Sequence, residues 1–414
     1  MNMTGNLRVL PLVFFLLFLA VVLSPSGSAS SDATGEKSRI ECIRRAIEES
    51  GASWTAGRTA VSDLSIDEKR NLTGLLFEET VSALNSPTPL PQLPSSLDWR
   101  ERFGSDWMTP VRYQGICGAC VSFGSIGPLE SLLSIASGDP YWEPDLSEQH
   151  LFSCGGGRCN WGWNVGSSMA QLTDWGVPFE ECFPYLSEDG QQRDCGLACF
   201  NADQHVTRIR NWGWVDNDVE IIKYYLQQGP LTTCMTVYED FFYYTGGVYE
   251  HVWGDYIYGH CITLIGYDDA EQAWICKNSW GIFWGEDGFF KISYEDSDIG
   301  NNTSIMELYP VVRLMVDKEH VSPGSTLYCG VGLYNPGSVF DGEIRGVLEV
   351  PWQDEFVFLS TDLTLGAGMN YTDPFHTTLT VPDLPPGTYT MYLDLRDPDN
   401  DVSVSCDRHI LIVE

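Results

Sequence analysis

The stretch Gln114-Gly115-Ile116-Cys117-Gly118-Ala119-Cys120-Val121-Ser122-Phe123 runs directly into a helical apolar pattern at Phe123, Ile126, Leu129, Leu132 and Leu133. Cys120 therefore sits at or near a helix N-terminus, where the dipole and free backbone N–H groups favour a thiolate. A thiolate nucleophile needs a base, and the base needs an orienting partner. Downstream, Gly259-His260-Cys261-Ile262-Thr263-Leu264 opens an apolar strand with a histidine, and Trp274-Ile275-Cys276-Lys277-Asn278-Ser279-Trp280-Gly281 follows. Cys120, His260 and Asn278, in that order, supply a nucleophile, a base and an amide to hold the base.

Around these residues the chain resembles the papain/cathepsin family of cysteine peptidases, from Leu93-Pro94-Ser95-Ser96-Leu97-Asp98-Trp99-Arg100 to about Pro310. Leu146-Ser147-Glu148-Gln149, Cys159-Asn160-Trp161-Gly162, Gly229-Pro230 and Gly247-Val248-Tyr249 fall in the family's order, and several ordered motifs are specific where one is weak. The resemblance implies an α+β, two-lobed catalytic domain, helical lobe first and barrel-like β lobe second. It makes Cys120 the nucleophile, His260 the general base and acid, and Asn278 the orienting group. Gln114 and the backbone N–H of Cys120 would hold the oxyanion. Trp280 would shield the His260–Asn278 pair, and Gly162 would pair with an extended substrate. Trp161, where the family has glycine, would narrow the cleft, and Met306 or Glu307 would close the main substrate pocket.

By the same resemblance Cys117 pairs with Cys159, and Cys154 with Cys195 or Cys199, leaving Cys182 the remaining one. Cys234, Cys261 and Cys276 read as buried free thiols. Departures are Val121 where the family has Trp, and Pro128, which should kink or break the nucleophile helix by clashing with the Gly124 carbonyl. These departures motivate an alternative reading, a catalytically weak surface or binding protein on a papain-like scaffold.

The rest of the chain sets the context. Val9–Leu23 is the length of a signal-peptide core and leads into small residues ending at Ala29, so residues 1–29 read as a secretory signal, with an uncleaved anchor as the lesser possibility. Residues 30–92 are polar. Ile40, Ile43, Ala46 and Ile47 share one helical face, and Ser65 with Glu68 is a capping box opening a helix toward Leu76. Ser53-Trp54-Thr55-Ala56-Gly57 resembles an element of short, cathepsin B-like pro-regions, which implies a pro-segment that inhibits the enzyme. Four prolines among residues 86–94 then form a cuttable linker. Beyond the catalytic domain (93–312), residues 313–414 alternate short β runs with Pro, Gly and Asp turns, as an Ig-like β-sandwich does, and Cys329 and Cys406 are placed to staple its two sheets.

The chain carries 23 basic and 57 acidic residues, a net charge of −34, which excludes a nucleic-acid footprint. Residues 93–312 hold 10 basic and 31 acidic groups, so the charge is not confined to a tail. Protein or peptide substrates are expected, on a secreted or cell-surface monomer that uses no cofactor. A Cys/His metal set is disfavoured because Cys117 and Cys120 lack a second close pair. Asp394, Asp397, Asp399, Asn400 and Asp401 read as a solvated acidic turn, and His150, His205, His251, His320, His376 and His409 as surface or packing residues. The sandwich is a candidate for cell-surface or carbohydrate contact.

Overall fold

The computed structural model describes residues 29–78, 83–350 and 355–414; the Val9–Leu23 signal run lies outside the described residues. Helix α1 (Ala29–Ser50) carries Ile43 and Ile47 into a buried cluster. Helix α2 (Ile66–Asn71) has both arms of its capping box: Glu68 N–H donates to Ser65 Oγ at 3.3 Å and Ser65 N–H to Glu68 Oε2 at 2.8 Å. It ends at Asn71 rather than Leu76, because residues 74–76 are drawn into extended backbone pairing with the body of the protein.

The helical lobe consists of α3 (Cys120–Ser137), α4 (Glu148–Gly155) and α5 (Val165–Asp174). Disulfides Cys117–Cys159, Cys154–Cys195 and Cys182–Cys199 hold its loops. Pro128 does not break α3, which runs unbroken to Ser137 and closes on Gly138 in the left-handed conformation. The carbonyl of Gly124, deprived of its helical donor, instead accepts from Thr232 Oγ1 at 2.9 Å. An outside hydroxyl thus repairs the ladder that proline interrupts.

The eight-stranded, mostly antiparallel sheet takes strands from both sides of α6 (Val219–Leu226), and its central strand, Tyr256–Asp268, is buried over most of its length. Leu231–Tyr238 pairs on one side of it, with Met235 opposite His260, and Ala273–Lys277 on the other, with Thr263 opposite Lys277. That register brings Asn278, just past the second strand, to the level of His260.

Strand Val311–Val316 straddles the expected domain boundary without a loop. It pairs with Thr326–Tyr334, which pairs with Asn370–Thr380, forming a three-stranded sheet. The facing sheet has five strands, in the order His320–Val321, Val402–Val413, Gly387–Asp397, Phe340–Glu349, Phe356–Leu365. Leu327 from the first sheet and Ile344, Met391, Leu393 and Leu411 from the second share one buried core, a β-sandwich. The side chains of the edge strand Phe356–Leu365 are mostly exposed or half-buried and carry no buried alternation.

Cys329 and Cys406 are both buried free cysteines, so the expected inter-sheet staple is absent. Cys329 lies in the sandwich core. Cys406 is opposite Asp394 and belongs to the cluster shared with the helical lobe. Alternation along the strand turns it to the other face. That shared cluster, with Leu133, Phe179, Val311, Tyr334 and Cys406, makes the sandwich and helical lobe one packed body. Arg313 reinforces the seam, lying 4.4 Å from the centre of the Trp142 ring and 3.0 Å from Asp139 Oδ2.

Candidate active site

Cys120 is the first residue of α3, fully buried. The loop before it is held from two sides. Gly118 N–H donates to the Cys159 carbonyl at 2.8 Å beside the Cys117–Cys159 bridge, and Gln114 N–H donates to the Ser279 carbonyl at 2.9 Å. Burial pushes the thiol well up, and neighbouring Cys261 pushes the same way; the backbone N–H groups of Cys261, Gly74 and Val121 act against both. The thiol is neutral in this covered state.

His260 is also fully buried, and burial outweighs its Asn278 hydrogen bond to push it down to about 4. Its Nε2 lies 2.8 Å from Asn278 Oδ1, an oxygen that also accepts the Ser279 N–H at 2.8 Å. Because Oδ1 can only accept, Nε2 carries the imidazole proton. Nδ1 is therefore the basic nitrogen, and it is buried without a hydrogen-bond partner. Trp280, itself fully buried, lies 4.9 Å from the imidazole, ring centre to ring centre. Gln114 is oriented by its own acceptor: Oε1 takes the Ser279 hydroxyl at 2.6 Å, which turns the amide N–H₂ toward the Cys117 carbonyl at 2.8 Å and the Leu72 carbonyl at 3.2 Å.

Leu72 belongs to the N-terminal segment, which crosses the site. Leu75 N–H donates to the Gly259 carbonyl at 3.1 Å, Leu76 N–H to the Trp163 carbonyl at 2.8 Å, and Trp163 N–H to the Gly74 carbonyl at 2.8 Å. This is strand addition by the chain to itself. Two features anchor the segment at its ends. Trp54 is buried, 5.2 Å from the Tyr249 ring, and the strand Thr55–Ala56 pairs with Tyr244–Gly246. Glu78 Oε2 accepts the Gly166 N–H at 2.7 Å, and its carbonyl accepts Asn302 Nδ2 at 3.0 Å.

The structure thus gathers Cys120, Gln114, His260, Asn278 and Trp280, with Gly162 and Trp163 along one wall. Trp161 is 71% exposed and lines a cavity of about 370 Å³ with Arg70, Asn71 and Tyr258. Val121 is fully buried in the helical-lobe core.

In the strand Asn301–Leu308, Met306 is buried opposite Trp212, while Glu307 reaches to within 3.8 Å of Arg210. The residues of that strand beside the bound segment are Asn301 and Asn302, which line a cavity of about 420 Å³ with Phe77 and Glu78. The spacing alone could not show that the strand meets the cleft at its start.

A family model described as papain family cysteine protease matches residues 93–310. The chain belongs to the papain family of cysteine proteases and is a hydrolase of that class. Cathepsin B-like CP3 of Giardia intestinalis is 35% identical over 218 residues, 50% of this chain and 72% of the relative. Pro-cathepsin H of Mus musculus is 32% identical over 211 residues, 48% of this chain and 60% of the relative. Among solved structures, procathepsin B S9 from Trypanosoma congolense matches with a TM-score of 0.57 at 20% identity, over 64% of this chain and 97% of that one, a likeness of fold.

Proposed function

We propose that the protein is an exported endopeptidase made as a zymogen, hydrolysing peptide bonds through Cys120, His260 and Asn278, with residues 30–92 as its inhibitory pro-segment. One observation carries the reading: His260, fixed by Asn278 under Trp280, follows Gly259 on the strand whose next N–H, that of Cys261, is directed at the Cys120 sulfur. Once the segment leaves, water and substrate dipoles replace the apolar cover that holds both groups neutral. Cys120 then passes its proton to His260 Nδ1 and attacks the peptide carbonyl. Gln114 Nε2 and the Cys120 N–H receive the developing oxyanion, and the Leu72 carbonyl marks where the Gln114 amide points. The imidazolium gives its proton to the leaving amine, and water hydrolyses the thioester, returning the thiol.

Three disulfides support an oxidising, extracellular compartment. The excess of acidic groups gives the cleft a negative field, so cationic peptides are cleaved faster than anionic ones at low ionic strength.

The test is chain cut within residues 86–94 and freed of its N-terminal segment. A thiol-directed epoxide should label it, and it should cleave denatured protein, whereas Cys120→Ala does neither. A folded, cut chain that takes no label returns the binding-protein reading.

A further inference from the structure

Where the sandwich meets the helical lobe, His205 is nearly fully buried between groups more than 140 residues away in sequence. Its Nδ1 is 2.7 Å from Asp394 Oδ2, and its Nε2 is 3.1 Å from Glu355 Oε1. Tyr392 stacks flat on the imidazole at 3.8 Å. Cys406, directly opposite Asp394 across two paired strands, completes a group of three whose ligating atoms all lie within 4.8 Å of one another. The solvated acidic turn expected at Asp394 starts only after it; Asp394 itself is fully buried.

We infer that His205, Asp394 and Cys406 form a site for a structural transition-metal ion, with zinc the best match, clasping the β-sandwich to the helical lobe. Imidazole, carboxylate and thiolate are the three ligand types zinc takes. The surroundings match what a metal-bound histidine uses: with Nδ1 as ligand, Nε2–H donates to Glu355, which fixes ring and tautomer. Asp394 is held in turn, its Oδ1 accepting the Ser403 hydroxyl at 3.2 Å.

Charge favours the assignment. A carboxylate and a thiolate balance a divalent cation, so the ion and its three ligands sum to zero, with the Glu355 carboxylate outside them, and binding expels the proton shared by His205 and Asp394 together with the Cys406 proton. A cavity of about 150 Å³, lined by His205, Tyr392, Asn201 and Glu349, gives entry and room for a water as fourth ligand. Two ligands of a tetrahedral zinc stand about 3.3 Å apart, so His205 and Asp394 separate by roughly half an ångström on loading.

The uncleaved full-length chain is the protein to test, because its Cys120 is covered. Purified without chelator, it should hold about one zinc per chain. Stripped and reloaded with cobalt(II), it should show a thiolate-to-cobalt charge-transfer band that Cys406→Ser and Asp394→Asn abolish and Glu355→Gln weakens. Zinc should raise the melting temperature of the stripped wild type by about 5 °C and leave that of Asp394→Asn unmoved. Should the variants fail to fold, the wild-type metal content and cobalt spectrum decide alone. Substoichiometric zinc with no cobalt band overturns the proposal and leaves a buried ion pair. A band that survives in Cys406→Ser also overturns it, since the thiolate then lies elsewhere.

Discussion

Gly74 of the N-terminal segment and Gly162 of the cleft wall are in backbone contact: a β-carbon on Gly162, whose φ is +82°, would lie 1.7 Å from the Gly74 carbonyl oxygen. On its other side Gly74 meets the nucleophile loop, where its own β-carbon would come within 2.4 Å of Gly118 Cα. Two glycines are needed for the segment to pass this close, and neither clash can be relieved by turning a side chain. Gly74→Ala should lift the segment from the site. We expect the uncleaved variant to react with a thiol-directed epoxide at Cys120 at least about tenfold faster than the uncleaved wild type, a gain of about 1.4 kcal/mol in opening. Equal rates would mean that the segment is held by its Trp54 and Glu78 anchors alone.

Gln114 is positioned by Ser279, whose hydroxyl fixes the side-chain oxygen and so the direction of the amide. Gln114→Ala should lower kcat by about 10²–10³ with little change in KM, as loss of an oxyanion donor does. Ser279→Ala should act in the same direction and more weakly, since it frees the amide without removing it. A Gln114→Ala effect confined to KM would assign that side chain to ground-state binding.

Thr232 stands in for the N–H that Pro128 cannot supply. Thr232→Val leaves the Gly124 carbonyl without that hydroxyl in the core, at a cost of about 1–3 kcal/mol. In a Pro128→Ala background the helix recovers its own donor, so the same Thr232→Val change should cost less. Urea unfolding of the four proteins in the cycle measures the coupling, and strict additivity would count against it.

Stability should rise on mild acidification. Burial pushes Glu130 and Glu180 up to about 7 and Asp407 up to about 6. A carboxyl that holds its proton more tightly when folded contributes stability fully below its ordinary range, and that contribution is lost as pH climbs through the raised value. His150 and His260, pushed down to about 4 by burial, work in the opposite sense: theirs is present above about 6.5 and lost as pH falls toward 4. Between pH 7.5 and 6.5 the carboxyls dominate, so the melting temperature of the uncleaved chain should climb by about 2–4 °C. It should then level off where the two sets oppose each other. A steady fall across that first unit of pH would refute the assignment.

The site was legible to the extent that its chemistry is local. Cys120 announces itself by preceding a helical apolar pattern, and His260 and Asn278 by opening and following β-type runs, so the residue types in their order point to the cluster. The capping box at Ser65 and Glu68 was readable for the same reason, but the end of that helix was not: backbone pairing with Trp163 and Gly259 overrides the local tendency to continue. How Met306 and Glu307 stand against the cleft was not legible, because a strand's register is set by its partners rather than by its own residues. Thr232 lies 104 residues beyond Pro128, and nothing near the proline announces it. His205 had no signal at all, because its partners come from the far side of another domain.

The three disulfides all lie within residues 117–199, where Cys120 alone stays reduced, whereas Cys234, Cys261, Cys276, Cys329 and Cys406 are all reduced inside the β lobe and the sandwich. One polypeptide therefore asks for two opposite treatments while it is being made. Its first half has to meet an oxidant to be tied together, and its second half has to bury five thiols before that oxidant finds them. Synthesis proceeds in that direction, so crosslinks can close while the later cysteines are still untranslated. For anyone preparing the protein, refolding the whole chain at once in a redox buffer forfeits this order, and expression into an oxidising compartment keeps it.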